Sequence, residues 1–228
     1  MKMNRFMLSA VVSWALVSMT GVTRGWDQSD VVTEVNALVD QEFPDYPDFS
    51  SYMMMDFENS SPWSIFGLYT FFTDQTLAWY GVTEARLNLF PKDGPLPAVG
   101  DDPTAGVVVP VSVAASDFGG VQVYAGGLDI DVYQGQHWIG LTPIAEFGVF
   151  GQEFHQAAAP LMLDDTAWRN PGGGFGYGHD WQTTAGLSDE WVGQYDAAFK
   201  IVIPEPASLM LLGLGGAMLA GGRFHLAR

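Results

Sequence analysis

Val107-Val108-Val109-Pro110-Val111-Ser112-Val113 places valines at every second position, with Val108, Pro110 and Ser112 between them. Successive side chains of a strand point to opposite faces, so residues 107, 109, 111 and 113 are expected to share one apolar face. β-Branched side chains suit a pleated, half-buried surface, and a period of two is the mark of a strand. The same alternation recurs in both directions along the chain. Ala85, Leu87 and Leu89 alternate with Arg86 and Asn88; Leu128, Ile130 and Val132 alternate with Asp129 and Asp131; Ala197, Phe199, Ile201 and Ile203 stand on the face opposite Lys200. Further strands are expected over residues 52–57, 64–73, 120–124, 137–141 and 147–154. Turn signals separate them: Lys92-Asp93-Gly94-Pro95, Gly100-Asp101-Asp102-Pro103, Gly126-Gly127 and Gln134-Gly135-Gln136. Many short strands with Gly and Pro punctuation predict an all-β, antiparallel β-sandwich of jelly-roll type. One helix is expected over residues 30–40, where Val31, Val35, Leu38 and Val39 share a helical face behind a cap at Ser29 or Asp30.

Charge narrows the function classes. The 228 residues hold 26 acids against 9 Lys and Arg, a net charge of −17. Between Trp26 and Ile203 the bases are only Arg86, Lys92, Arg169 and Lys200, against 25 acids, which leaves that span at −21. Phosphate binding needs clustered Lys and Arg, so nucleic acid is excluded as a partner. With 48% hydrophobic and 14% aromatic residues the acidity does not imply disorder, because apolar burial offsets the ordering entropy. The absence of cysteine removes disulfides, a thiol nucleophile and cysteine-ligated zinc from consideration.

The two ends differ from the middle. Residues 1–24 have the order of a secretory signal peptide: Lys2 and Arg5, an apolar stretch from Phe6 to Val17, then Ser18, Thr20 and Gly21. A buried N-terminal helix is the competing reading. At the other end, Pro204-Glu205-Pro206 is followed by an uncharged Leu/Met/Gly/Ala-rich run from Ala207 to Gly222 and by Arg223-Phe224-His225-Leu226-Ala227-Arg228. As a helix the run would span about 24 Å, short of a roughly 30 Å hydrocarbon core. It reads as a marginal membrane helix with a basic, positive-inside stop.

This ending resembles the PEP-CTERM sorting signal, a Pro-Glu-Pro tripeptide followed by a hydrophobic helix and a basic end. The resemblance covers about 25 residues. It implies that Pro204, Glu205 and Pro206 are recognised by an exosortase-like membrane processing enzyme, that the chain is exported, and that it is anchored at least transiently before reaching the cell surface or extracellular space. Its basic cluster is thinned to Arg223 and Arg228. A plain membrane anchor is the alternative. The expected organisation is therefore a signal segment at 1–24, an acidic β-sandwich at 25–203 and a sorting tail at 204–228. Segments such as Trp63-Ser64-Ile65 and His137-Trp138-Ile139-Gly140-Leu141 are loosely similar to surface domains that precede such tails, which implies a β-sandwich and assigns no catalytic residue.

Chemistry-bearing residues in the body are few. Glu153 and His155 share a strand face at i and i+2, an arrangement suited to general-base work, and a hydrolase using them would need further acids such as Asp180. Asp129 and Asp131 project from one face about 7 Å apart and are candidates for calcium. Asp101-Asp102 and Asp164-Asp165 are acid pairs in loops; His137 and His179 stand alone. The loop Asn170-Pro171-Gly172-Gly173-Gly174-Phe175-Gly176-Tyr177-Gly178 is flanked by Trp168, Trp181 and Trp191. Indole rings beside such a loop are candidate contacts for an extracellular polysaccharide, and ordinary core residues otherwise. No zinc-protease, nucleophile-elbow or P-loop pattern occurs. The leading expectation is a non-catalytic, cofactor-free surface or matrix protein, followed by a carbohydrate-binding module.

Overall fold

The structure is a computed structural model that describes residues 22–33, 35, 38–73, 77–177, 179–189 and 192–204. The strands, in chain order, are β1 (Val22–Gln28), β2 (Val31–Val32), β3 (Leu38–Val39), β4 (Tyr52–Asn59), β5 (Trp63–Phe72), β6 (Glu84–Pro91), β7 (Val107–Pro110) and β8 (Ser112–Ala115). There follow β9 (Val121–Val132), β10 (Gly135–Pro143), β11 (Phe154–His155), β12 (Ala157–Ala158), β13 (Ala167–Arg169), β14 (Gln182–Thr183), β15 (Asp196–Ala197) and β16 (Phe199–Pro204). A single helical turn, α1 (Phe147–Phe150), stands between β10 and β11.

All the strand pairings are antiparallel. A seven-stranded sheet is built on β5, which pairs with β9 on one side and with β16 and β11 on the other; β8, β1 and β3 lie outside these. A six-stranded sheet runs β14-β13-β4-β10-β6-β7, and β15-β12-β2 make a small third sheet. One apolar cluster draws on both large sheets. Met53, Met55, Phe57, Leu87, Ile139 and Leu141 come from the six-stranded sheet; Ile65, Leu68, Phe72, Val121, Phe199 and Ile201 come from the seven-stranded one. On β4 the opposite face is buried too, where Tyr52 and Met54 pack with Trp138, Ala167 and Trp181. Burial on both faces explains why Tyr52-Met53-Met54-Met55 is apolar without alternation.

Four expectations are corrected. Among the described residues of 30–40 there is no helix: β2 pairs with β12 and β3 with β11, so Val31, Val32 and Val39 serve extended backbone. Residues 147–153 are not a strand, because the Asp45 carboxylate accepts hydrogen bonds from the N–H groups of Phe147 (2.8 Å) and Gly148 (2.9 Å) and so caps α1 from a distant loop. The Gly126-Gly127 pair is not a turn. It lies inside β9 at a bulge, where Gly127 has φ +70° and the register against β5 shifts between Ile65 and Gly67. There the Tyr124 ring lies where side chains at Gly67 and Gly126 would go, and it stacks on Tyr69 at 4.2 Å. Val107 is exposed, since β7 is the edge of its sheet, while Val109, Val111 and Val113 do pack against the core.

Residues 1–21 of the expected signal segment and 205–228 of the expected tail lie outside the described residues. The described remainder of each segment is strand: Val22, Thr23 and Arg24 pair with Pro204, Ile203 and Val202. The chain therefore enters the body and leaves it on adjacent strands.

Candidate functional site

Pro204 is the last residue of β16 and the register partner of Val22, so the tripeptide begins inside a strand with no intervening linker. Glu205 and Pro206 lie outside the described residues. Trp26, Leu68 and the aliphatic face of β16 hold the strand's core side, with Phe199 and Ile201 fully buried. Residues 202–228 match the PEP-CTERM protein-sorting motif. The sorting motif implies an exported protein handled at the membrane by exosortase, and it overlaps β16 by its first three residues. No curated protein matches the chain. Among the described residues no helix is long and apolar enough to cross a membrane.

The body places the other candidate residues as follows. Glu153 and His155 are both fully buried. His155 Nδ1 meets Asp40 Oδ2 at 2.9 Å and its Nε2 meets the Ala198 carbonyl at 2.9 Å. Glu153 Oε1 accepts from Thr73 Oγ1 (2.9 Å) and the Phe154 N–H (3.0 Å). These contacts engage both side chains in the interior. Asp129 and Asp131 are exposed on β9, and among the described residues no group of three or more His, Asp or Glu side chains is disposed to hold a metal. The acid pairs serve turns. Asp102 caps residues 103–105 through Thr104, Asp101 accepts from the Ala98 N–H, and Asp164 pairs with Lys92 at 2.5 Å. His137 and His179 bond the carbonyls of Tyr133 and Pro171.

Trp168 and Trp181 are 3% and 7% exposed, with indole N–H groups donating to Val39 O and Asp101 O. They are core residues and offer no sugar-stacking platform; Trp191 lies outside the described residues. The Gly-rich loop, in contrast, does reach an aromatic surface. Asn170 Nδ2 donates to the carbonyls of Asp48 and Ser50, both at 2.8 Å, and the Gly174 N–H donates to Asp48 O. Side chains at Gly172 or Gly174 would collide with the Asp48 backbone, so these glycines permit the close approach of two loops.

That junction closes an open cleft of about 360 Å³ lined by Phe43, Tyr46, Phe49, Phe147, Gln152 and Phe175. The rings meet edge to face: Tyr46 and Phe147 at 5.8 Å and 88°, Phe43 and Phe147 at 6.2 Å and 63°, Phe49 and Phe175 at 5.4 Å and 86°. Sequence reasoning passed over it. Its signal is a short tandem, Phe43-Pro44-Asp45 then Tyr46-Pro47-Asp48 and Phe49, which spaces aromatic rings three residues apart. Pro47–Phe49 is a 3₁₀ turn, whose period of three keeps such residues together.

A buried charge group lies behind β4. Asp56 Oδ2 accepts from the Asp164 N–H (3.0 Å) and contacts Lys92 Nζ at 3.3 Å, while Lys92 sits 4.2 Å from the Trp138 ring centre. Burial pushes the Asp56 carboxyl up to about 6, against the opposing pull of the Asp164 N–H and Lys92. Burial and then Asp56 itself push Asp196 well above the ordinary range. A carboxyl raised on folding binds its proton more tightly in the folded state. Its stabilising contribution is present at low pH and is lost as pH rises through the folded value. Asp56 alone is expected to make the protein less stable at about pH 8 than at about pH 5, by about 1.4 kcal/mol. Urea unfolding at the two pH values, with Asp56→Asn removing that part of the difference, checks it; an unchanged pH dependence in the variant would refute the assignment.

Proposed function

We propose that this chain is an exported, non-catalytic protein whose body is a jelly-roll-like β-sandwich displayed at the cell surface or in the extracellular matrix. An exosortase-type membrane enzyme would act at Pro204-Glu205-Pro206 and remove the tail that follows. The match of residues 202–228 to the sorting motif carries this reading. The enclosure of Glu153 and His155 in structural hydrogen bonds supports a body without hydrolase chemistry.

The mass of the protein recovered from the cell envelope and from the medium tests the proposal. The expected species ends near Pro204. Glu205→Ala is expected to keep the C-terminus intact through Arg228 and to hold the protein in the membrane fraction. A wild-type protein ending at Arg228 in both fractions would argue for a plain anchor.

A further inference from the structure

We propose that the aromatic cleft between residues 43–49, α1 and the Gly-rich loop binds a compact organic cation of the quaternary-ammonium class. Five of its six lining residues are aromatic, and the sixth, Gln152, is uncharged. Its volume of about 360 Å³ lies in the range of small-ligand sites. Tyr46 is 52% exposed, Phe49 41% and Phe147 47%, while Phe43 is buried at the base. Large aromatic side chains held this open to water lose burial that the fold could otherwise have taken.

Two observations choose the ligand class. The first is ring geometry. Tyr46 and Phe147 stand perpendicular, as do Phe49 and Phe175. Mutually perpendicular rings make walls, whereas stacking on a pyranose face calls for a flat platform. Walls suit a rounded guest that touches several rings at once, and the negative face of an aromatic ring attracts a cation. The second is charge. The segments forming the cleft, residues 43–50, 146–152 and 170–177, carry Asp45, Asp48 and Glu146 and no Lys or Arg. Asp45 joins two of the walls through its bonds to the Phe147 and Gly148 N–H groups. Desolvation raises its carboxyl and those N–H groups outweigh it, leaving it lowered from the ordinary value. No carboxylate is among the lining residues, so a cation would meet the ring faces directly and the acids of these segments only through the longer-range field they set up, which disfavours an anion.

Choline is the probe, with 3,3-dimethylbutan-1-ol as its uncharged isostere and glucose as a pyranose control. Titration of the protein, followed by calorimetry and by NMR of the aromatic resonances, is expected to show choline binding at least about tenfold tighter than the isostere, the size of a partly desolvated cation–π contribution. Added salt is expected to weaken choline alone. Phe147→Ala and Tyr46→Ala, both at exposed positions, are each expected to weaken choline severalfold while leaving the melting temperature close to wild type. Equal affinity for the two isosteres, glucose binding with choline silent, no choline binding at all, or choline binding unaffected by both variants would each overturn the proposal.

Discussion

Asp40→Ala is expected to lower the unfolding free energy by about 3–5 kcal/mol, the cost of removing the shared acceptor from several buried polar groups at once. Asp40 and His155 have fully buried side chains. The Ala198 carbonyl can only accept, so His155 Nε2 carries a hydrogen; the contact between Nδ1 and Asp40 Oδ2 needs a second. The other Asp40 oxygen accepts from Thr142 Oγ1 at 2.7 Å and from the Met53 N–H at 3.2 Å. One carboxylate thus binds β11 of the seven-stranded sheet to β4 and β10 of the six-stranded sheet. Alanine would leave an imidazole nitrogen, a hydroxyl and a backbone N–H unanswered in the interior, each carrying its desolvation cost. Urea unfolding measures the loss. Asp40→Asn, which keeps an acceptor and the volume, is expected to cost less than alanine. A midpoint for Asp40→Ala within error of wild type would show that the site relaxes or admits water.

Trp79→Ala carries a similar expected loss of about 3–5 kcal/mol, here from a cavity. The indole is fully buried in the turn Leu77–Gly81, against Val82, Ala145 and Phe150. It stacks on Phe72 at 6.0 Å, and its N–H donates to the Phe150 carbonyl at 3.0 Å. That bond secures the end of α1, whose first residue, Phe147, lines the aromatic cleft. The alanine variant should therefore lose choline affinity as well as stability. Trp79→Phe keeps most of the packing and removes the hydrogen bond, a change worth about 1 kcal/mol. Thermal unfolding of the two variants separates packing from the polar contact. If phenylalanine proved as damaging as alanine, the hydrogen bond would be the larger contribution.

Period-two patterning revealed the strands that bury one face, and residues 85–89, 128–132 and 199–203 are strand as their alternation requires. It failed where distant groups decide. Val31, Val35 and Leu38 satisfy a helical spacing, but β12 and β11 offer ladder partners more than a hundred residues away. Phe147 to Phe150 is helical because Asp45, remote in the chain, caps it. Gly126-Gly127 carries the composition of a turn, and only the register of β5 shows a bulge. Among candidate sites, the sorting tail was legible because it is contiguous. The aromatic cleft was not, because its rings come from three segments, and the tryptophans that drew attention beside the Gly-rich loop proved to be buried.

The pairing of Val22 with Pro204 has a mechanical consequence. β16 is hydrogen-bonded on both sides, to β1 and to β5. In the proposed anchored state, a pull between tail and body would be borne by β16. Such traction strains two ladders in shear together instead of peeling one bond at a time, and resistance to it follows the unfolding rate rather than the equilibrium stability. Severing the tail would end that tension at once and leave the strand in place.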